Sequence, residues 1–145
     1  MIKTESAYRE AVERLKQDQE FIKQQKLKFT EMGLDSDHIE FALQPYISFH
    51  EQLKEEVEYY EQIKRGEFEP IINLNTIGKT LIAYRIYSGM SQQQLAEKLQ
   101  VSPSQVSRDE KNEYYGATIE RIRDVMEALG MVSITRIDPQ GIVSA

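Results

Sequence analysis

Three polar side chains, Ser104, Gln105 and Arg108, lie close together in the C-terminal half of the chain at helical spacing. A hydroxyl, an amide and a guanidinium fork are the groups that hydrogen-bond to base edges in the major groove of DNA. The spacing places them on the exposed side of one helix, so we predict that these three residues read bases. Lys111 and Asn112 follow at the end of that helix, where side chains reach phosphate oxygens.

Two short helices joined by a tight turn are predicted over residues 91–112. Ser91 and Gln94 form a capping box at the start of the first helix. Ser102 followed by Pro103 begins the second helix, and Ser102 is also predicted to contact a phosphate. Apolar residues at helical spacing give the pair one buried face; they are Leu95, Ala96, Leu99, Val101 and Val106. The pattern indicates a helix-turn-helix whose second helix carries the base-reading residues.

The run SQQQLAEKLQVSPSQVSRDE resembles the lambda-repressor/Cro-like (Xre) helix-turn-helix family, and the resemblance extends over about residues 77–129. It implies that Gln92 contacts a phosphate and that the side chains of Ser104 and Arg108 are directed into the major groove. It also implies a structural ion pair between Arg85 and Glu110, which would tie the first helix of the domain to the recognition helix.

Two positions depart from the pattern of this family. Gln100 stands where the turn usually carries glycine, so a left-handed backbone there would be somewhat strained. Asp109 stands where the family often has an apolar or aromatic residue, and it places a negative charge beside the predicted reading surface. The first departure bears on the geometry of the turn, and the second bears on the strength of DNA binding.

Acidic residues are concentrated in the N-terminal half of this chain, whose net charge is −6 over 145 residues. Residues 1–70 hold 10 Lys and Arg against 16 Asp and Glu, whereas residues 71–145 hold 8 of each. A neutral reading domain gains little affinity from phosphates, so we expect a homodimer that binds two half-sites on double-stranded DNA.

Composition also limits the compartment and the chemistry. The chain has no cysteine, so a disulfide framework and a thiolate metal site are excluded. Neither a signal peptide nor a long apolar run is apparent, which predicts a cytoplasmic protein that does not enter the membrane.

The predicted fold is mainly α, with an acidic hairpin of long helices over residues 1–66. Apolar residues spaced alternately four and three apart along both helices predict that the two pack together, or pack on a second chain. Pro45 interrupts the second helix and predicts a break or a kink there. The segment 67–75 is predicted to be a linker, and the hairpin to serve dimerisation or partner binding.

The C-terminal half divides into a helix-turn-helix domain at residues 76–130 and a short β segment or tail at 131–145. Residues 131–137 are rich in β-branched side chains and partly alternate, which favours a strand. Residues 142–143 would return as a second strand, or the first strand would pair with its copy in another chain.

Two functions from different classes fit these features. The first is a sequence-specific DNA-binding transcription regulator. Its favoured form is a homodimeric repressor that reads the major groove with the helix at 102–111. The second is an antitoxin resembling the HigA type, whose acidic N-terminal helices neutralise a basic toxin protein while the chain represses its own operon.

An enzyme is the least favoured class. The sequence has no Gly-rich phosphate loop and no histidine beside a candidate nucleophile. His38 and His50 have no second ligand at metal-binding spacing, so no catalytic residue, metal or cofactor is predicted. A helix-turn-helix that serves only protein contacts stays open as an alternative.

Overall fold

The computed structural model describes residues 1–141 and forms six α-helices within them. In chain order they are α1 (Glu5–Glu31), α2 (Ser36–Lys64), α3 (Ile77–Tyr87), α4 (Gln92–Leu99), α5 (Pro103–Lys111) and α6 (Ile119–Leu129). The chain divides into an N-terminal unit, Met1–Leu74, and a C-terminal unit, Asn75–Ala145. The mainly helical fold class is confirmed.

A helical hairpin forms the N-terminal unit because both of its helices have strong capping signals. The Thr4 hydroxyl accepts a hydrogen bond from the Ala7 amide at 3.1 Å, which begins α1. Gly33 adopts φ +84° after α1, and the amide of Leu34 then donates to the carbonyl of Phe29 at 3.1 Å. The Asp35 carboxylate accepts from the His38 amide at 2.9 Å and begins α2.

The core of the hairpin is a narrow seam of apolar side chains between α1 and α2. Its buried members are Ala11, Ile39, Leu43, Val57, Tyr60 and Ile63, and Ile2, which precedes α1, is buried as well. At one end the rings of Tyr8 and Tyr60 stack with their centroids 4.6 Å apart. Tyr8 donates to Glu61 at 2.7 Å, and Tyr60 donates to Glu5 at 3.0 Å. The hydrogen bond to Glu61 is the main reason why the pKa of Tyr8 is raised.

The helix α2 continues through Pro45, so the break predicted at this proline does not occur. Pro45 is exposed, on the side of α2 opposite the buried Leu43. The carbonyl of Phe41, which loses its helical partner, can therefore be hydrated on that outer side. Packing of Ile39 and Leu43 on the inner side holds the helix together across this position.

The C-terminal unit packs four short helices around a compact apolar core. The core side chains are Leu81, Ile82, Ala83, Ile86, Leu95, Ala96, Val106, Tyr114, Val125 and Leu129. Ala96 is fully buried where α4 faces its neighbours, and its small side chain permits a close approach of the helices. This core fixes the relative placement of α3, α4, α5 and α6.

The predicted C-terminal β segment is wrong for the residues that the structure describes. Residues 131–137 form no strand, although their β-branched composition favours one. The side chains of Val132, Ile134 and Ile137 are exposed and no second strand lies beside them within residues 1–141, so nothing satisfies the strand's hydrogen bonds. The proposed returning strand at 142–143 lies outside the described residues.

Within the described part of the chain, no helix combines the length and the apolar character that crossing a lipid bilayer requires.

Candidate nucleic-acid interface

The helix-turn-helix is formed by α4, the turn at residues 100–102 and α5. Ser91 accepts from the amide of Gln94 at 3.1 Å, while the Gln94 side chain accepts from the amide of Ser91 at 2.8 Å. This reciprocal capping box fixes where α4 begins. Pro103 occupies the first turn of α5, where its missing N–H removes no helical hydrogen bond.

Gln100 makes the turn between the two helices. Its backbone is left-handed, with φ 56° and ψ 42°, which is the conformation expected where related domains carry glycine. The following residue, Val101, donates its amide to the carbonyl of Ala96 at 3.0 Å and closes the end of α4. The turn therefore keeps its geometry without glycine, at a conformational cost that an L-residue bears in this region.

A buried ion pair joins α3 to α5. The Nε of Arg85 donates to Oε1 of Glu110, and its Nη2 donates to Oε2 at 2.9 Å, so the contact is bidentate. Only 2% of Arg85 and 0% of Glu110 is exposed. Nη1 of Arg85 also donates to the carbonyl of Met90 at 2.8 Å, which brings the α3–α4 connection into the same cluster.

Gln92, which the family resemblance assigns to a phosphate, lies beside this cluster. Its Nε2 donates to Oε2 of Glu110 at 2.7 Å. The start of α4 is thereby tied to the same carboxylate that pairs with Arg85, and Gln92 remains half-buried at the edge. Three helices are thus aligned by a single buried glutamate.

The N-terminal end of α5 presents two hydroxyls to solvent. Ser102 accepts from the amide of Gln105 at 3.2 Å and so caps the helix, and its hydroxyl lies 3.0 Å from that of Ser104. Both serines are exposed. Arg108 is exposed about one turn farther along α5, and Lys111 and Asn112 are exposed at its end. The structure therefore brings most of the predicted DNA-contacting residues onto one accessible helix.

Gln105 differs from the other predicted readers because both ends of its amide are engaged. Its Nε2 donates to Oδ1 of Asp109 at 2.8 Å, and its Oε1 accepts from Nη2 of Arg108 at 2.9 Å. Asp109 in turn accepts from Nη2 of Arg121, on α6, at 2.9 Å. We call this chain of four side chains, Arg121–Asp109–Gln105–Arg108, the α5–α6 relay.

The contacts within the relay change how the negative charge of Asp109 is interpreted. In the sequence this carboxylate is an unfavourable charge beside the reading surface, but Arg121 lies in direct ion-pair contact with it. Sequence reasoning assigned no role to Arg121. Two features of the sequence could have indicated this contact: Asp109 departs from the family pattern on α5, and Arg121 follows twelve residues later on another helix.

The loop after α5 packs tightly against α3. Glu113 and Tyr114 both have positive φ values, 51° and 56°. A Cβ atom on Gly78 would lie 1.8 Å from the carbonyl oxygen of Glu113, so only glycine fits there. Tyr114 is buried, while Tyr115, the next residue of the loop, is exposed. Burial, with the charges of nearby carboxylates, raises the pKa of Tyr114.

Comparison with known families agrees with this geometry. A family described as helix-turn-helix matches residues 81–137, which span most of α3, all of α4, α5 and α6, and the segment that follows α6. This part of the chain is therefore a helix-turn-helix domain. It belongs to the lambda-repressor/Cro-like (Xre) family, a family of DNA-binding regulator domains rather than of enzymes. No curated protein and no solved structure gives a significant match to the chain.

Proposed function

We propose that this chain is a sequence-specific transcription repressor that binds double-stranded DNA as a homodimer, with α5 in the major groove. The observation that carries the proposal is the exposed side of α5, where Ser104 and Arg108 are accessible on a helix anchored from below by the buried Glu110. A recognition helix must be held rigidly, because base contacts depend on hydrogen-bond geometry.

Phosphate contacts are assigned to residues at both ends of α5 and to one residue at the start of α4. Ser102 lies at the start of α5, and Lys111 and Asn112 lie at its end, all exposed. The half-buried Gln92 amide carries two N–H donors, and Glu110 takes one of them, so the other is assigned to a phosphate. These contacts place the helix in the groove without selecting a sequence.

Charge favours a dimer over a monomer. The C-terminal unit has equal numbers of acidic and basic residues, so one domain gains little affinity from phosphates. Two domains reading half-sites about 34 Å apart, one helical turn of DNA, combine their contacts. The operator is therefore expected to be an inverted repeat.

The test is fluorescence anisotropy with DNA from upstream of the chain's own gene, compared with scrambled DNA over a salt series. Tighter binding to the native fragment is expected, with a salt slope that reports several phosphate contacts. Arg108→Ala should relax discrimination at one base pair of each half-site by about 1–3 kcal/mol, the usual worth of a bidentate arginine–guanine contact.

Arg123→Ala is the matched control, since Arg123 is an exposed arginine on α6 that is not assigned to bases. This variant should keep the base preference of the wild type. An Arg108→Ala variant that discriminates as well as the wild type would remove Arg108 from the set of readers. Equal binding of the wild type to native and scrambled DNA would count against this fragment as the operator.

A second candidate function is favoured by the surface of α2. Glu51, Glu55 and Glu58 are exposed on this helix, and Phe41 and Phe49 are 84% and 71% exposed. Exposed carboxylates and exposed aromatic rings on one helix suit a basic protein partner, as an antitoxin that neutralises a basic toxin requires. The test is calorimetric titration of the full chain with the product of the adjacent gene.

The expected result for the antitoxin function is tight binding that weakens when Glu51, Glu55 and Glu58 are changed together to lysine. DNA binding by the same variant should be retained, because these residues lie in the N-terminal unit. An adjacent gene product that is acidic, or that does not bind the full chain, would argue against this second function.

A further inference from the structure

Of the three predicted base readers, Gln105 has the surroundings least suited to reading. We propose that Gln105 is a positioning residue, and that Asp109 and Arg121 orient Arg108 through it and so determine how selectively Arg108 reads guanine. This inference rests on the proposed DNA-binding function. It assigns a specificity role to Asp109 and Arg121, which lie outside the predicted reading set.

The orientation of the Gln105 amide follows from its two partners. The carboxylate of Asp109, when ionised, only accepts hydrogen bonds, so the group 2.8 Å from it is the amide N–H₂. The guanidinium of Arg108 only donates, so the group 2.9 Å from it is the amide oxygen. A flipped amide would place donor against donor and acceptor against acceptor, hence a single orientation satisfies both contacts.

The relay is anchored at its inner end. The side chains of Arg121 and Asp109 are 26% and 22% exposed, and Arg121 belongs to α6, whose Val125 and Leu129 are buried in the domain core. Asp109 therefore has a fixed partner on another helix. The N–H donated to a charged carboxylate also polarises the Gln105 carbonyl, which makes that oxygen a better acceptor for Arg108.

These contacts give the two side chains different roles: Gln105 positions Arg108, and Arg108 reads the base. A glutamine reads adenine by donating and accepting at the same time. The nitrogen and the oxygen of the Gln105 amide each already make one hydrogen bond within the protein, so turning this amide towards a base would break at least one of them. Arg108 has five N–H donors and gives one of them to Gln105. The remaining donors include the pair that a bidentate contact with guanine O6 and N7 needs. The relay thus holds Arg108 in place before DNA arrives.

Two substitutions at the same residue separate the hydrogen bond from the charge. Asp109→Asn and Asp109→Ala both remove the negative charge, whereas only asparagine keeps an oxygen that can accept from Gln105. In a selection from randomised DNA with the full chain, wild type should prefer guanine at the Arg108 position. Asp109→Ala should lose about tenfold in that preference, while Asp109→Asn should stay within about threefold of the wild type.

Both variants should bind scrambled DNA more tightly than the wild type, because each removes a negative charge near phosphates. Glu113→Gln is the charge control, since it removes an exposed acid just after α5 without touching the relay. It should raise binding to scrambled DNA and leave the guanine preference unchanged. Equal guanine preference in Asp109→Ala and Asp109→Asn would overturn the inference.

A measurement without DNA tests the relay itself. In NMR spectra of the labelled full chain, Asp109→Ala should shift the side-chain amide protons of Gln105 and the guanidinium protons of Arg108, whereas Glu113→Gln should not. Backbone resonances of the core report whether the variant stays folded. Unchanged Gln105 amide protons in folded Asp109→Ala would overturn the inference, as the relay would then not exist in solution.

The two measurements also separate the inference from the function on which it rests. If the wild type selects no sequence from the randomised DNA, the proposed function fails and the specificity role fails with it. If the wild type selects a sequence but both Asp109 variants select it equally well, the proposed function stands and the inference alone is wrong.

Discussion

In the C-terminal unit an arginine and a glutamate are buried side by side, whereas two arginine–glutamate pairs of the N-terminal unit lie at its surface. Arg85 and Glu110 are almost fully inaccessible and form a bidentate contact. The pairs Arg9–Glu5 and Arg65–Glu67 have both side chains more than half exposed. A buried charged pair can be satisfied in few arrangements, so this pair restricts how α3 and α5 are placed relative to each other.

The two units also differ in how their apolar cores are built. In the hairpin the core is one seam, and large apolar side chains such as Phe41, Tyr46 and Phe49 remain exposed. In the helix-turn-helix the core packs four helices and leaves α5 with a polar outer side. The comparison teaches that α5 is held in place by a core shared among four helices, whereas the hairpin is held by a single seam between two.

The largest effect is expected from breaking the buried pair. Glu110→Gln leaves the Arg85 charge buried without a counter-ion, and we expect a loss of about 4 kcal/mol in the free energy of unfolding of the C-terminal unit. Denaturant unfolding of the full chain, followed by circular dichroism, measures it. The double variant Arg85→Met, Glu110→Leu should recover a large part of this loss, because no charge is then left unpaired.

Glu67→Gln is the matching change in the N-terminal unit. The Arg65 guanidinium holds the pKa of Glu67 below its usual range through a hydrogen bond, but both side chains are solvated. The unfolding midpoint should therefore stay where it is in the wild type. If Glu110→Gln were as harmless as Glu67→Gln, the buried pair would not be what specifies the geometry of the C-terminal unit.

A second contrast concerns two glycines. Gly78→Ala should destabilise the C-terminal unit by about 3 kcal/mol, because the new Cβ would overlap the backbone carbonyl of Glu113, which cannot rotate away. Gly33→Ala meets no atom within 4 Å and should cost about 1 kcal/mol, from its left-handed backbone alone. Thermal and denaturant unfolding of both variants would check the difference, and equal losses would contradict the tight contact at Gly78.

A third contrast lies within α2 itself. Leu43 is 2% exposed and Phe41 is 84% exposed. Leu43→Ala should cost the N-terminal unit about 2 kcal/mol, the lower end for a buried leucine, since a thin hairpin can close over the cavity. Phe41→Ala should change the stability by less than about 0.5 kcal/mol. A large, concentration-dependent loss in Phe41→Ala would show that a second copy of the chain covers this side of α2.

Sequence reasoning succeeded where local signals and packing agree. The capping box at Ser91 and Gln94 and the helix start at Ser102 and Pro103 are local signals, and both form as predicted. The spacing of apolar residues likewise predicted the helices of the hairpin and of the helix-turn-helix. Apolar residues that repeat at the helical period lie on one face of a helix, and this is the face that becomes buried. The left-handed Gln100 could be expected from the glycine that related domains carry.

The sequence could not give features that depend on distant partners. The continuity of α2 through Pro45 depends on which side of the helix is solvated, and the loss of the strand at 131–137 depends on a missing neighbour. Likewise, Asp109 alone predicts a repulsive charge. Only the fold brings Arg121 from α6 to neutralise it, which a pattern of residues along one helix does not encode.

The smallest of the four effects concerns the turn of the helix-turn-helix. Gln100→Gly should stabilise the C-terminal unit by about 1 kcal/mol, because glycine adopts the left-handed conformation without the Cβ penalty that glutamine bears. The gain is limited because glycine also gives the unfolded chain more freedom. The free energy of unfolding, measured in denaturant on the full chain, checks the prediction.

Gln93→Gly provides the control, since Gln93 is an exposed glutamine within α4, a few residues earlier. There the backbone is helical, and the same replacement should cost about 0.5–1 kcal/mol. Opposite signs for one chemical change, seven positions apart, would isolate the backbone conformation of Gln100 as the cause. A loss of stability in Gln100→Gly would mean that the Gln100 side chain contributes more than its left-handed backbone costs.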